Sequence, residues 1–232
     1  MSPTQAAERN SIDTSESSDR IGYFDATYEL AQAAAHAAGG FIDRAYTIAG
    51  LPIRLRFAGP ALLSPLTQAF RHLDVSESSG RLTVCIWDTA STGLKMLPPP
   101  WEGDDFLARG VIPGYNDERV YTAFQHGSGA VSMLDAERDP AVFWVPSAEE
   151  LPYWEKGAPL RTILHWWLGG QQRQLVHGAA VGNSRGAVLI GGKGGSGKST
   201  TALACLESDL LYLGDDYTVL KSDPSALVYS LL

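Results

Sequence analysis

Residues 187–199, AVLIGGKGGSGKS, decide the fold of this chain. Within this stretch Gly192, four further residues and then Gly197, Lys198 and Ser199 match the phosphate-binding pattern G-x-x-x-x-G-K-[ST]. An apolar strand precedes the pattern and a helix-forming sequence, TTALACL, follows it, and this is the context that the pattern requires. The sequence therefore predicts a P-loop that binds ATP or a similar nucleotide with Mg²⁺.

Each residue type in the P-loop has a physical reason. Glycines let the backbone adopt angles closed to other residues, so that loop amides and the helix N-terminus can approach phosphate oxygens. Lys198 can reach the β- and γ-phosphates, and the Ser199 hydroxyl can ligate Mg²⁺. The alternative is a glycine-rich turn, capped by Ser199, without a ligand. The residues predicted to bind nucleotide are Gly192, Lys193, Gly194, Gly195, Ser196, Gly197, Lys198, Ser199 and Thr200.

Two carboxylates follow the next apolar run, LLYLG. Asp215 and Asp216 stand seventeen and eighteen residues after Lys198, an interval that fits one helix and one strand. Because parallel strands end on the same side of a sheet, we expect both carboxylates beside the P-loop. One could hold Mg²⁺ and the other could accept a proton from an incoming hydroxyl. The alternative is a surface turn, since Gly-Asp-Asp also suits turns.

His177 lies in LVHG, inside a strand predicted over residues 175–181. On its own, a histidine in an apolar strand favours a core residue with satisfied hydrogen bonds over a catalytic one. His177 is nevertheless a candidate site residue, because it lies in the strand that precedes the P-loop strand.

Three motifs, VHG, GGKGGSGKST and GDD, in this order and spacing, resemble the catalytic domain of HPr kinase/phosphorylase and its relatives. The resemblance covers about residues 175–220. It implies a P-loop serine kinase core related in fold to phosphoenolpyruvate carboxykinase. It also implies that Lys198 and Ser199 bind phosphate and Mg²⁺, and that His177 lines the transfer site with the two aspartates. Asp216 would then be the general base and Asp215 would lie near the metal.

The function implied by the resemblance is transfer of the γ-phosphate of ATP to a Ser or Thr hydroxyl of a protein or peptide. The segment before residue 150 does not resemble the family's usual N-terminal domain, so the acceptor need not be HPr. The chain ends at Leu232, sixteen residues after Asp216, whereas the family's core continues further, so we expect a C-terminally truncated member. The alternatives are a nucleotide-binding regulatory or scaffold module without turnover, and another P-loop phosphotransferase.

The chain as a whole is predicted to be an α/β protein in three parts. Residues 1–20 are rich in Ser, Asp and Glu and are expected to form a disordered tail. Residues 21–155 are predicted to form a mainly β (α+β) module, with a helix over residues 28–38, a buried strand over 82–87 and a hairpin of residues 119–124 and 130–134. Residues 156–232 are predicted to form an incomplete P-loop kinase core, opening with a helix over residues 160–168.

Composition limits the partners. The formal net charge of −8 argues against binding to nucleic acid, and no apolar run reaches the ~20 residues of a membrane span. The two cysteines, Cys85 and Cys205, form no CxxC pair and are expected to be buried thiols in a reducing, cytoplasmic setting. The partners expected are a nucleotide, a protein or peptide substrate, and a further copy of the chain in a homo-oligomer.

Overall fold

The computed structural model describes residues 3–76, 80–101, 106–222 and 225–231. The described residues form a mixed α/β protein, which confirms the predicted class. The chain divides into two compact units. Unit 1 comprises Met1–Asp43, Leu55–Leu63 and Leu82–Pro152, and unit 2 comprises Arg44–Arg54, Ser64–Arg81 and Tyr153–Leu232.

The helices are α1 (Pro3–Ala37), α2 (Leu63–Thr67), α3 (Thr89–Thr92), α4 (Tyr153–Gly157), α5 (Arg161–Gly170) and α6 (Lys198–Ala204). The strands are β1 (Phe41–Ile48), β2 (Leu51–Ala58), β3 (Asp74–Val75), β4 (Leu82–Asp88), β5 (Val120–Gln125), β6 (Ala130–Asp135), β7 (Pro140–Val145), β8 (Arg173–His177), β9 (Ala179–Asn183), β10 (Gly186–Ile190), β11 (Leu211–Gly214), β12 (Tyr217–Lys221) and β13 (Leu227–Ser230). No helix in the described part of the chain is long and apolar enough to cross a bilayer.

The sequence predicts a disordered tail over residues 1–20, but residues 3–20 belong to helix α1. The lack of large apolar residues there predicts the absence of packing, and it does not by itself exclude local helix formation. Farther along, Phe24, Thr27, Ala31 and Ala34 recur at helical spacing and are fully buried. The helix ends before Gly39, at the glycine pair predicted to stop it.

The largest sheet has the strand order β3-β1-β2-β4-β7-β6-β5. Strands β4 and β7 run parallel, whereas β6 is antiparallel to both β5 and β7. The predicted hairpin is confirmed as β5 and β6, and the predicted buried strand as β4. The core of unit 1 lies between this sheet and α1, where the fully buried Trp87 and Cys85 of β4 belong to the same cluster as Phe24.

Unit 2 contains two three-stranded antiparallel sheets, β10-β9-β11 and β13-β12-β8. The single strand predicted over residues 175–181 is wrong, because the strand is broken at Gly178 into β8 and β9. Strands β11 and β12 are separated in the same way by Asp215 and Asp216. Since Gly214 pairs with Ala180 and Tyr217 pairs with His177, the two breaks lie opposite each other. The result is a corner where both strands pass from one sheet to the other.

Candidate nucleotide site

Residues 191–197 form a glycine loop between β10 and α6, the strand–loop–helix order that the sequence predicts. Gly197 has a φ of 87°, in the left-handed region that favours glycine, and its carbonyl accepts a hydrogen bond from the Thr201 amide at 2.8 Å. The Ser196 amide donates to the Lys193 carbonyl at 3.1 Å. The loop is therefore a compact turn leading directly into the helix.

A side chain at position 192 would crowd the loop. A Cβ atom built on Gly192 would lie 2.5 Å from the Ser196 hydroxyl oxygen and 3.3 Å from the Ser196 Cβ, so the Ser196 side chain would have to move to accommodate a larger residue. The first glycine of the motif thus lets the loop pack closely against Ser196.

The Lys198 side chain is 8 % exposed, which is unusual for a lysine. Its ammonium group donates to the Gly192 carbonyl at 3.1 Å and to the Lys193 carbonyl at 3.2 Å. The positive charge is therefore held against the backbone of the glycine loop. Lys193, in the same loop, is exposed, as is Ser199 in the first turn of α6.

The aspartate pair lies at the same end of the small sheet as the glycine loop. Strands β10 and β11 are both antiparallel to β9, so they run in the same direction, and they end opposite adjacent residues, Ala179 and Ala180. The two strands thus run in the same direction, as expected, but they are not direct neighbours, because β9 lies between them. At about 4.8 Å per strand, their ends are about 10 Å apart.

His177 and Asp216 come together at the corner. His177 Nε2 lies 3.8 Å from an Asp216 carboxylate oxygen, too far for a direct hydrogen bond but close enough for an ion pair when the imidazole is protonated. The Gly178 amide donates to the Asp216 carbonyl at 3.0 Å. The side chains of His177 and Asp216 are 52 % and 75 % exposed, so His177 is not the core residue of the alternative interpretation.

The aspartates form a tight turn of their own. Asp216 has a φ of 57°, and its amide donates to the Asp215 carboxylate at 2.8 Å. A left-handed conformation costs an ordinary residue about 1–2 kcal/mol, and a local hydrogen bond of this kind offsets part of it. The turn interpretation and the site interpretation are thus both compatible with this geometry. Strained backbone of this type clusters at functional sites.

The structure gives a reason for the glycine of the VHG motif, Gly178. A Cβ atom at this position would lie 3.0 Å from the Ile190 carbonyl oxygen, at the point where β10 enters the glycine loop. A larger residue here would force the corner or the start of the loop to shift by a few tenths of an ångström.

Two residues of the corner were missed by the sequence argument. Tyr217 stacks on His177, with ring centroids 5.3 Å apart and planes at 21°. Arg161, at the start of α5, donates to the Tyr217 hydroxyl at 3.2 Å, with its guanidinium carbon 5.7 Å from the ring centroid. Tyr217 directly follows GDD and could have been identified from that position. No nearby motif in the sequence indicates Arg161, because it lies 56 residues before Tyr217.

The two aspartates place negative charge near the Tyr212 hydroxyl. Burial raises the pKa of the Tyr212 hydroxyl, and the nearby charges of Asp215 and Asp216 raise it further. A bound cation would offset this negative charge.

Mg²⁺ can be held by one or two carboxylates together with phosphate oxygens and water, so it does not need a cage of protein ligands. No cluster of three or more His, Cys, Asp or Glu residues that could hold a metal occurs in the described ranges. Asp215 and Ser199 offer oxygen ligands of the type that Mg²⁺ takes. These residues fit Mg²⁺ that arrives with a nucleotide, and they do not form a metal site by themselves.

No protein-family model matches the chain, and no curated protein sequence matches it. Membership of the HPr kinase/phosphorylase family stays a prediction that rests on the three motifs.

Proposed function

We propose that the chain binds ATP with Mg²⁺ at the glycine loop and transfers the γ-phosphate to a Ser or Thr hydroxyl of a protein or peptide. This is the activity of an HPr-kinase-like P-loop core. The observation that supports it most is the position of His177 and Asp216 at the same end of the small sheet as the loop that holds Lys198.

The glycine loop would bind the phosphates. The Lys198 ammonium already donates to loop carbonyls, so it could exchange these partners for phosphate oxygens over a short distance. Loop amides would add donors, as in other anion-binding turns. Ser199 and Asp215 would hold Mg²⁺, which when bound would supply positive charge that offsets the negative charge of the phosphates.

The corner would bind and activate the acceptor. Asp216 would take the proton of the acceptor hydroxyl as that oxygen bonds to the γ-phosphorus and the bond to the leaving ADP breaks. The stack on Tyr217 would fix the His177 ring beside this carboxylate. In its protonated state His177 would stabilise the charged form of Asp216 by ion pairing at the observed separation.

A second candidate is a nucleotide-binding regulatory or scaffold module without turnover. The observation that favours it is the exposure of the corner, since the Asp216 side chain is 75 % accessible to solvent. Phosphoryl transfer sites exclude water during reaction, because water competes with the acceptor hydroxyl.

The two candidates can be separated by transfer of radiolabelled γ-phosphate to a Ser- and Thr-containing peptide library, with a Ser/Thr-free library as the substrate control. We expect Asp216→Asn to lower transfer by at least about a hundredfold, because a general base contributes on that scale, while the affinity for ATP stays within about twofold. The exposed Asp209→Asn provides a matched control on the same unit. Unchanged transfer in Asp216→Asn would remove the base assignment, and ATP binding without any transfer by the unaltered chain would favour the regulatory module.

A further inference from the structure

Unit 1 contains a cavity of about 620 Å³ that the proposed function does not use. Its floor is formed by side chains of the sheet, Phe124 on β5, Val131 on β6 and Trp144 on β7. Its walls include Tyr23 of α1 and the segment that begins at Lys95. The volume lies within the range of about 300–1,000 Å³ that is typical of small-molecule sites.

The walls of this cavity are held in place by the fold. The Trp144 indole N–H donates to the Thr89 hydroxyl at 3.0 Å, and that hydroxyl donates to the Leu94 carbonyl at 3.0 Å. The Trp87 indole N–H donates to the same carbonyl at 3.2 Å. These bonds fix the chain where the wall begins, so a ligand would meet a preformed cavity and would lose little affinity to ordering it.

At the other end of the wall, Trp101 is wedged between two tyrosines. Its ring lies 5.8 Å from that of Tyr23 and 5.6 Å from that of Tyr115, both edge to face. The Tyr115 hydroxyl donates to the Pro100 carbonyl at 3.1 Å. This end of the wall is thus also fixed by specific contacts.

The chemistry of the lining points to an apolar ligand with one negative charge. Aromatic rings and prolines dominate the surface, and the Trp144 and Thr89 donors are already used within the protein. Within the described part of the lining, Tyr23 alone has a buried side-chain polar atom without a hydrogen-bond partner. A sugar or a nucleobase would therefore leave most of its polar groups without partners here, which is costly. Among the described residues that line the cavity, Lys95 is the only one with a charged side chain, and it is exposed.

We infer that this cavity is a binding site for a small aromatic carboxylic acid. The aromatic ring would pack among Trp101, Phe124 and Trp144, where edge and face contacts between rings are favourable. The carboxylate would pair with the Lys95 ammonium. This site is independent of the glycine loop and goes beyond the proposed function.

Three probes that differ only in their end group test the inference on the full chain: 4-phenylbutyrate, 4-phenylbutan-1-ol and 4-phenylbutan-1-amine. The chain has three methionines, Met1, Met96 and Met133, and Met96 lines the cavity. With ¹³C-methyl-labelled methionine, we expect the acid to shift the Met96 resonance more than that of the core residue Met133. A ligand of this size should bind with a dissociation constant of about 1 mM, and the alcohol and the amine should bind more weakly.

Two variants locate the groups responsible. Lys95→Met should weaken the acid about three- to fivefold, as expected for an exposed ion pair, and leave the alcohol unchanged. Lys156→Met, an exposed lysine of unit 2, should change neither. Phe106→Ala, which removes a ring from the lining, should weaken all three probes. The inference is overturned if no probe shifts Met96, if the three probes bind equally, or if Lys95→Met keeps the preference for the acid.

Discussion

Strands β4 to β7 of unit 1 and the small sheet that carries the glycine loop differ in how deeply their side chains are buried. All six residues of β6 are buried, and α1 packs against β4 to β7. In β10, by contrast, the first four residues are exposed, and Val188 is 58 % accessible. Large apolar side chains lie exposed on β10, on β11, and on and just after α6. They are Val188, Leu189, Leu203, Leu206, Leu211 and Tyr212.

The two regions also differ in the amount of apolar side chain that they bury. The buried cluster of the small sheet consists of Ala179, Val181 and Ala202, which remove little apolar area from water. The cluster of unit 1 contains large side chains such as Trp87 and Phe24. We therefore expect the small sheet to contribute less to stability than the core of unit 1, and the glycine loop to lie on an element with a low local free energy of opening.

The largest expected effect is on the core of unit 1. Trp87→Ala removes a fully buried ring and should lower the free energy of unfolding by about 3–5 kcal/mol. Leu203→Ala on α6 is the matched change beside the glycine loop, and because that side chain is 57 % exposed we expect less than about 0.5 kcal/mol. Urea unfolding followed by circular dichroism measures both. Equal losses of stability in the two variants would contradict the expected difference between the two regions.

The reactivity of the two cysteines can show the same difference in burial without any substitution. Cys85 is fully buried, and burial raises the pKa of its thiol to about 11, so at pH 8 its reactive thiolate is scarce. Cys205, after α6, is partly accessible, so the expectation that both thiols are buried is correct for Cys85 alone. With a disulfide reagent we expect one thiol to react at once and the other at least about a hundredfold more slowly, until urea is added. Rapid reaction of both in the native protein would contradict this contrast.

A smaller effect is expected at the corner. Gly178→Ala places a methyl group 3.0 Å from the Ile190 carbonyl oxygen and should displace the start of the glycine loop by a few tenths of an ångström. We expect ATP affinity to fall about tenfold, since sub-ångström misplacement of binding groups is costly. Gly169→Ala in α5 is the matched control, because a Cβ atom there meets nothing within 4 Å. Calorimetric titration with ATP and Mg²⁺ compares the two. An equal affinity in both variants would remove the proposed role of Gly178.

Much of the local structure follows from the sequence, because period-2 and helical patterns are local signals. The β5–β6 hairpin and the end of α1 at the glycine pair were predicted for this reason. The break at Gly178 was not predicted, since LVHGAAV is continuously apolar apart from His177. It arises from the pairing of two distant segments, residues 173–183 and 211–221, which bend together.

The candidate site, too, could be predicted only as far as local motifs indicate it. The motif spacing predicted that the aspartates would lie at the loop end of the sheet, on a strand that runs in the same direction as the P-loop strand, but it did not indicate that β9 lies between those two strands. Tyr217 and Arg161 depend on tertiary contacts, and nothing local indicates Arg161. The cavity of unit 1 likewise joins residues from α1, three strands and a loop, which no single motif could indicate.

Binding of ATP at the glycine loop can be measured by calorimetric titration of ATP, with and without Mg²⁺, into the unaltered chain, Lys198→Ala and Lys193→Ala. We predict Mg²⁺-dependent binding that Lys198→Ala weakens at least about a hundredfold, because it removes the one buried positive charge of the loop. The exposed Lys193→Ala should weaken it by less than about fivefold. Absence of Mg²⁺-dependent affinity in the unaltered chain, or equal affinity in Lys198→Ala, would contradict the account.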